Sequence, residues 1–342
     1  MSSQYPDYLQ SFFTTRGSYY IERSDFDSIY EIDQQIELIK NHQYFSSLQS
    51  ADRIIVSGVW VQTELITAML ITGFVKKTFF HFWGGDYYFY REHEKRLKAL
   101  LVRKLFFYAF SKAAGLVFLI DGEYEEFVKI TQVSNRHFVA PEPDDPNDIK
   151  DWPDFSKYRK EASHNVVNIL IGNSATVSNY HEEVFEMLKQ YSRERMKLYV
   201  PLSYGDTTYR NTIADKGYTM FGDDFSPLLD FMESDDYIKF LAGIDVAILY
   251  CDRQQAMGTI NLLLGLGKKV YLRRGTCMWN AYVELGFEIF DADSINQLSF
   301  TDFYGFDHTA RQNNMVRADE MADSLVLSWK QAWDAVFSAD IM

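Results

Sequence analysis

NVVNILIGNSATVSNYHEEVFEMLKQ, residues 165–190, holds a complete folding unit in one line. Its first seven residues are mostly apolar and β-branched, as in a buried strand. Gly172 then allows a close backbone turn, Asn173 and Ser174 offer hydrogen bonds, and residues 179–190 have helical length and spacing. Strand, polar turn and helix in this order form the repeating element of a parallel, doubly wound sheet. A helix start presents unpaired backbone N–H groups, which suits an anion such as a diphosphate. Ser178 or Asn179 serves equally well as an ordinary helix cap. No lysine follows as in a Walker loop, so the segment in isolation is a weak motif.

Downstream the pattern repeats. Residues 197–201, 245–250 and 268–272 read as strands, and residues 207–216 and 259–266 as helices. The stretch DRQQAMGTINLLLGLG (252–267) shares the strand–loop–helix setting. There Arg253 suits phosphate oxygens, and Gly258 with Thr259 opens the next helix. A surface arginine and a plain cap are the alternative. Two anion-suited helix starts in one domain favour a nucleotide-sugar diphosphate. The tail, 310–337, reads as a helix with Trp329 and Trp333 at i, i+4 on one face.

Upstream, PEPDDPNDIKDWPDFSKYRKEAS (141–163) collects four of the chain's seven prolines among many acids, the mark of a linker. Before it, strand-like runs at 18–22, 53–57, 78–83, 116–120 and 137–140 alternate with helical stretches at 30–49, 61–71 and 91–113. A helix-like segment at 5–13 stands where such a domain usually opens with a strand. The expected organisation is α/β. An N-terminal Rossmann-like domain covers 1–145, a linker 146–163, a C-terminal Rossmann-like domain 164–310 and a helical tail 311–342.

Composition narrows the function. A net charge of −14 argues against nucleic acid as a partner. The most apolar stretch, 54–75, is interrupted by Gly58, Glu64 and Gly73, and the first 20 residues lack a signal-peptide pattern. Two cysteines form no disulfide framework, so the expected location is cytoplasmic. Within this acidic chain, residues 76–112 carry nine Lys/Arg against three acids. Lys95, Arg96, Arg103 and Lys104 fall at spacings that share a helix face, and Phe106, Phe107, Tyr108 and Phe110 follow. An anionic membrane surface and a solvated helix face explain this stretch equally well.

HFWGGDYYFY (81–90) ends a strand of the first domain. Gly84 and Gly85 bring the backbone close to a ligand, Trp83 suits stacking on a sugar ring, and His81 and Asp86 are acid–base candidates. For His81 a satisfied core position is an equal alternative. Metal-binding DxD, GxGxxG, GxSxG and Cys/His signatures are absent. Asp223-Asp224, Asp235-Asp236 and Asp291/Asp293 lie in turn-like surroundings and read as solvated acids.

FFHFWGGDYY (79–88), ILIGNSATVSNYH (169–181), VPLSYGDTTY (200–209), RQQAMGTINLLLGLG (253–267) and MWNAYVELG (278–286) occur in the order found in glycosyltransferase family 56, which the chain resembles. The type activity of that family transfers 4-acetamido-4,6-dideoxygalactose from TDP to lipid II in enterobacterial common antigen synthesis. The resemblance implies a GT-B fold, two Rossmann-like doubly wound domains facing a cleft. It implies a TDP-sugar donor lined by Asn173, Ser174, Tyr204, Arg253, Gln254, Gly258 and Thr259. His81, Trp83, Gly84, Gly85 and Asp86 would face a polyprenyl-diphosphate-linked saccharide at the inner face of the cell membrane. No cofactor and no metal are implied, because helix starts and basic side chains stabilise the leaving diphosphate. A related O-antigen sugar fits the same pattern. A non-catalytic nucleotide-sugar-binding protein and a sugar-nucleotide epimerase are the alternatives.

Overall fold

A computed structural model describes residues 9–14, 17–22, 29–32, 48–49, 51–59, 63–92, 97–141, 153–159 and 165–340. The chain divides into two compact units, residues 1–150 with 326–342, and residues 151–325.

In the first unit the strands are β1 (Leu9–Thr14), β2 (Gly17–Glu22), β3 (Ile29–Ile32), β4 (Ile54–Ser57), β5 (Thr78–His81), β6 (Gly115–Phe118) and β7 (His137–Val139). They form one sheet in the order β3-β2-β1-β4-β5-β6-β7. β1 and β4 to β7 are parallel, while β2 pairs antiparallel with both β1 and β3. The helices are α1 (Thr63–Thr72), α2 (Gly85–Glu92), α3 (Leu97–Lys112) and α4 (Glu123–Thr131).

Two expectations are corrected here. The segment read as a helix at 5–13 contains β1, so this sheet does have a parallel strand before β4. Leu9, Phe12 and Phe13 fall at i, i+3, i+4, and strand pairing overrides that local signal. The helix expected at 30–49 begins instead with β3, and residues 33–47 lie outside the described residues.

Successive strand residues point to opposite faces. Ile54, Val56, Phe80, Leu116 and Phe118 pack on one side with Phe82, Phe106, Phe110 and Phe127. Ile55, Phe79 and Val117 point to the other side, where Trp329, Trp333, Val336 and Phe337 cover them. The first unit is therefore a three-layer structure whose second outer layer comes from residues 326–342.

The second unit contains β8 (Val167–Ile171), β9 (Met196–Pro201), β10 (Phe225–Leu228), β11 (Val246–Leu249), β12 (Lys269–Leu272) and β13 (Phe290–Asp291). All pair in parallel in the order β10-β9-β8-β11-β12-β13. Its helices are α5 (His181–Leu188), α6 (Thr207–Phe221), α7 (Ser234–Ala242), α8 (Met257–Gly265), α9 (Cys277–Glu284), α10 (Phe300–Tyr304) and the start of α11 (His308–Ser338). From β8 the chain first winds outward through β9 and β10, then returns to β11 on the other side of β8. The order reverses between β8 and β11, and such a switch point opens a crevice at the carboxyl ends of the strands.

Candidate active site

In the second unit, the loops after β8, β9 and β11 meet at this crevice. Gly172 stands at φ 67°, and a Cβ there would lie 2.7 Å from His181 Nε2 and 2.8 Å from Asn179 Oδ1, so only glycine fits. The Asn173 side chain donates to the Tyr204 hydroxyl at 2.8 Å and accepts from Gln255 Nε2. Gln255 Oε1 in turn accepts from Ser178 Oγ at 2.8 Å. One buried glutamine thus clamps the β11 loop to the β8 loop across the switch point. Tyr204 is half-exposed and within electrostatic reach of Ser174 and Arg253. Tyr237 on α7 meets Thr259 Oγ1 at 3.1 Å, and Gln254 is buried beside Arg253. The structure therefore gathers Asn173, Ser174, Tyr204, Arg253 and Gln254 on neighbouring loops of one sheet edge, with Thr259 in the first turn of α8 beside them.

The anion-binding part of the sequence reading moves. Residues 177–179 form a short 3-10 turn, and α5 starts only at His181. Ser178 and Asn179 are not its caps. Asn179 ties the β8 loop internally, accepting from Asn173 N at 3.0 Å and donating to Ser174 O at 2.9 Å and Thr176 Oγ1 at 2.8 Å. The backbone N–H groups of Gly172, Asn173, Ala175 and Thr176 are already donated within the protein. A more open helix start lies at α8, which has no acid in its first turn and no side-chain cap. Its first N–H groups lack intrahelical acceptors, and a Cβ on Gly258 would meet nothing within 4 Å. Ala256 just before it and Tyr180 across the crevice are held at φ 59° and 50°, costly for non-glycine residues. The Arg253 guanidinium donates to Gln254 O at 3.3 Å.

In the first unit the corresponding edge is formed by the segments after β4, β5 and β6. Gly84, at φ 79°, turns the chain from β5 into α2. The Asp86 carboxylate is buried and accepts from the N–H groups of Val59 at 2.9 Å, Trp83 at 3.2 Å and Tyr87 at 3.1 Å. It thereby ties the β4 and β5 loops together. Burial pushes its pKa up to about 6, partly offset by those N–H donors. Glu123, which the sequence reading passed over, is also buried. It accepts from the Tyr87 hydroxyl and Leu119 N, both at 3.1 Å. Desolvation is the main cause of a pKa raised to about 8, and the nearby Asp86 charge adds to it.

His81 is fully buried in β5. Its Nδ1 meets Ser57 Oγ at 2.8 Å, its Nε2 meets Ala140 O at 3.3 Å, and Trp333 packs edge-on at 5.8 Å. Burial lowers its pKa to about 3, so the ring is neutral at physiological pH. Trp83 donates its indole N–H to the same Ser57 Oγ at 2.9 Å. On α3, Lys104 is exposed and Arg103 lies 5.8 Å over the Phe107 ring, while Lys95 and Arg96 lie outside the described residues. Among the described residues no group of three His, Cys, Asp or Glu could hold a metal ion, and no helix is long and apolar enough to cross a membrane.

Comparison with solved structures places this geometry. Sucrose-phosphate synthase from Thermosynechococcus elongatus superposes with a TM-score of 0.63 at 10% identity, over 90% of this chain and 79% of that one. The UDP-forming alpha,alpha-trehalose-phosphate synthase from Burkholderia xenovorans gives 0.58 at 10% identity, over 98% and 91%. The N-terminal domain of Candida albicans trehalose-6-phosphate phosphatase gives 0.60 at 12% identity, over 90% and 74%. These likenesses show the fold, which is of the GT-B class. Over residues 28–339 the sequence matches the family described as 4-alpha-L-fucosyltransferase glycosyl transferase group 56. That match decides against the epimerase and non-catalytic alternatives: the chain belongs to glycosyl transferase group 56 and is a glycosyltransferase.

Proposed function

We propose that the protein transfers a deoxyamino sugar of the 4-acetamido-4,6-dideoxyhexose type from TDP to a polyprenyl-diphosphate-linked saccharide, in common antigen or O-antigen synthesis. The observation that carries the donor half is the set of side chains at the switch point of the second unit. Asn173, Tyr204 and Gln255 form a connected polar floor, with Arg253 and the uncapped start of α8 beside it. A guanidinium and unpaired helix N–H groups stabilise the charge that develops on a departing diphosphate, with no metal required. The family description names a fucosyl group. Fucose is itself a 6-deoxyhexose, which supports a deoxysugar donor.

The first unit is assigned the acceptor. Asp86 is the better base of the two candidates, because its raised pKa lies near the working pH and it sits at the carboxyl edge. His81 has both ring nitrogens engaged inside the sheet. Trp83, Gly84 and Gly85 would line the approach of the saccharide. The basic face of α3, with exposed Leu101 and Tyr108 beside Arg103 and Lys104, would rest on the anionic inner face of the cell membrane.

Ligand-dependent melting tests the donor assignment. TDP at about 100 times its Kd should stabilise the protein by about 2.7 kcal/mol. Arg253→Ala should remove most of the rise in Tm, and transfer should persist in EDTA. A strict requirement for Mg²⁺ would overturn the metal-independent diphosphate site, and a protein indifferent to TDP but stabilised by another nucleoside diphosphate would overturn the TDP reading.

A further inference from the structure

Arg273 follows β12 directly, next to Tyr250 at the end of β11, since Leu249 pairs with Leu272. Its guanidinium lies 4.9 Å from the Tyr250 ring centroid and 5.1 Å from that of Tyr180. Both phenols are anchored at their far ends. Tyr180 donates its hydroxyl to Asp252 at 2.9 Å, and Tyr250 donates to Asp293. Phenols that donate to carboxylates have electron-richer rings, which favours a cation on their faces. Arg273 is therefore fixed in place by aromatic contacts.

Its polar capacity is a separate matter. Among the described residues the guanidinium has no carboxylate partner and no hydrogen-bond acceptor, while its neighbour Arg274 reaches Asp291 at 4.0 Å. A half-buried arginine held against two nearly perpendicular rings keeps N–H groups available. That arrangement suits bidentate recognition of a phosphate. The position agrees, because β12 lies beside β11 and β11 beside β8 at the switch point. The Tyr180 hydroxyl on Asp252 also links the aromatic platform to the loop that carries Arg253.

We propose that Arg273 is a second arginine of the donor site and binds the diphosphate of the sugar nucleotide together with Arg253. This rests on the reading of the second unit as the donor site. With an arginine on each of two adjacent strand-end loops, the site would prefer a nucleoside diphosphate to the corresponding monophosphate.

The test is calorimetric binding of TDP, UDP and TMP to the full chain and to Arg273→Gln, whose planar side chain still covers the tyrosines. Arg273→Gln should weaken nucleoside diphosphate binding by about tenfold to a hundredfold, the loss expected for a charge-assisted hydrogen bond. It should also shrink the preference of TDP over TMP. Equal losses for TDP and TMP would mark a purely structural role and overturn the proposal. Unchanged diphosphate binding in the variant would overturn it too, leaving the donor site itself intact. Wild-type protein that binds UDP but not TDP would sink the TDP reading and leave Arg273 to be judged on UDP. Protein that binds none of the three nucleotides would overturn both. Should Arg273→Gln fail to fold, Arg273→Lys keeps the charge on the rings without the fork. It should lose diphosphate affinity several-fold, and wild-type affinity would count against the proposal.

Discussion

At the carboxyl edge of the second unit two cations, Arg253 and Arg273, stand beside the polar floor, while the carboxylates Asp252 and Asp293 are each engaged by a tyrosine hydroxyl. At the corresponding edge of the first unit lie two carboxyl groups, Asp86 and Glu123, both sunk below the surface. The two sheets share a winding rule, yet one edge keeps charge available and the other suppresses it. An edge meant for a diphosphate gains from fixed positive charge. An edge meant for a neutral hydroxyl gains from groups that hold or exchange a proton near neutral pH. A shared fold does not give the two halves the same chemistry.

The comparison breaks most directly at Glu123. Its folded pKa of about 8 lies above the ordinary value of 4.5, so the folded state holds the proton more tightly than the unfolded state. The associated stability is present below pH 4.5 and is lost as pH rises towards 8, by a few kcal/mol in order of magnitude. Glu123→Gln mimics the protonated form. Urea unfolding at several pH values should therefore show a flatter decline in the variant, with equal stability near pH 5 and an advantage near pH 8. An unaltered slope would mean that Glu123 is already ionised in the folded protein.

Asp86 gives the next largest effect. Asp86→Asn should lower kcat by roughly a hundredfold and leave the TDP-induced rise in Tm in place, since the proposed TDP site is on the other sheet. A loss of only a few-fold would reduce Asp86 to a tie between the loops after β4 and β5. His81→Ala is the control, and it should cost stability ahead of turnover because it empties a packed position under Trp333.

The smallest effect concerns α3. Replacing Arg103 and Lys104 by Gln should weaken co-sedimentation with anionic vesicles by about 1 kcal/mol per cation at low salt. Changing Lys95 and Arg96 as well should abolish it, with TDP binding untouched. Sedimentation that ignores all four substitutions would make this an ordinary solvated helix.

Much of the second unit was legible because its strands are apolar runs closed by turn residues, so β8, β11 and β12 lie within the segments read from sequence and β9 begins one residue earlier than read. β10 was not, since Pro227 sits in its short FSPL run and only pairing with β9 makes it a strand. β1 was misread because Leu9, Phe12 and Phe13 imitate a helical period, whereas its strand character comes from pairing with β2 and β4. Motif resemblance picked out Asn173, Tyr204, Arg253 and Thr259, of which the first three lie on adjoining loops and Thr259 in the first turn of α8. Gln255, Tyr237, Glu123 and Arg273 were missed for a common reason. Each is defined by a partner brought near only by folding, as Gln255 is by Asn173 and Arg273 by Tyr180. Ser178 and Asn179 show the reverse error, since their fitness as caps was real but Ser178 instead bridges to the β11 loop and Asn179 ties the β8 loop to itself.

The cover that residues 326–342 place over Ile55, Phe79 and Val117 also sets an order in time. During synthesis the second unit is contiguous and complete once residue 325 has emerged. The first sheet, though made earlier, must wait with one face bare until Trp329 and Trp333 leave the ribosome. Pulse proteolysis of chains arrested before and after that point should find the earlier-made unit sensitive until the last helix arrives. Whatever shields that greasy face in the interval, whether a chaperone or provisional packing, is part of how this enzyme is made.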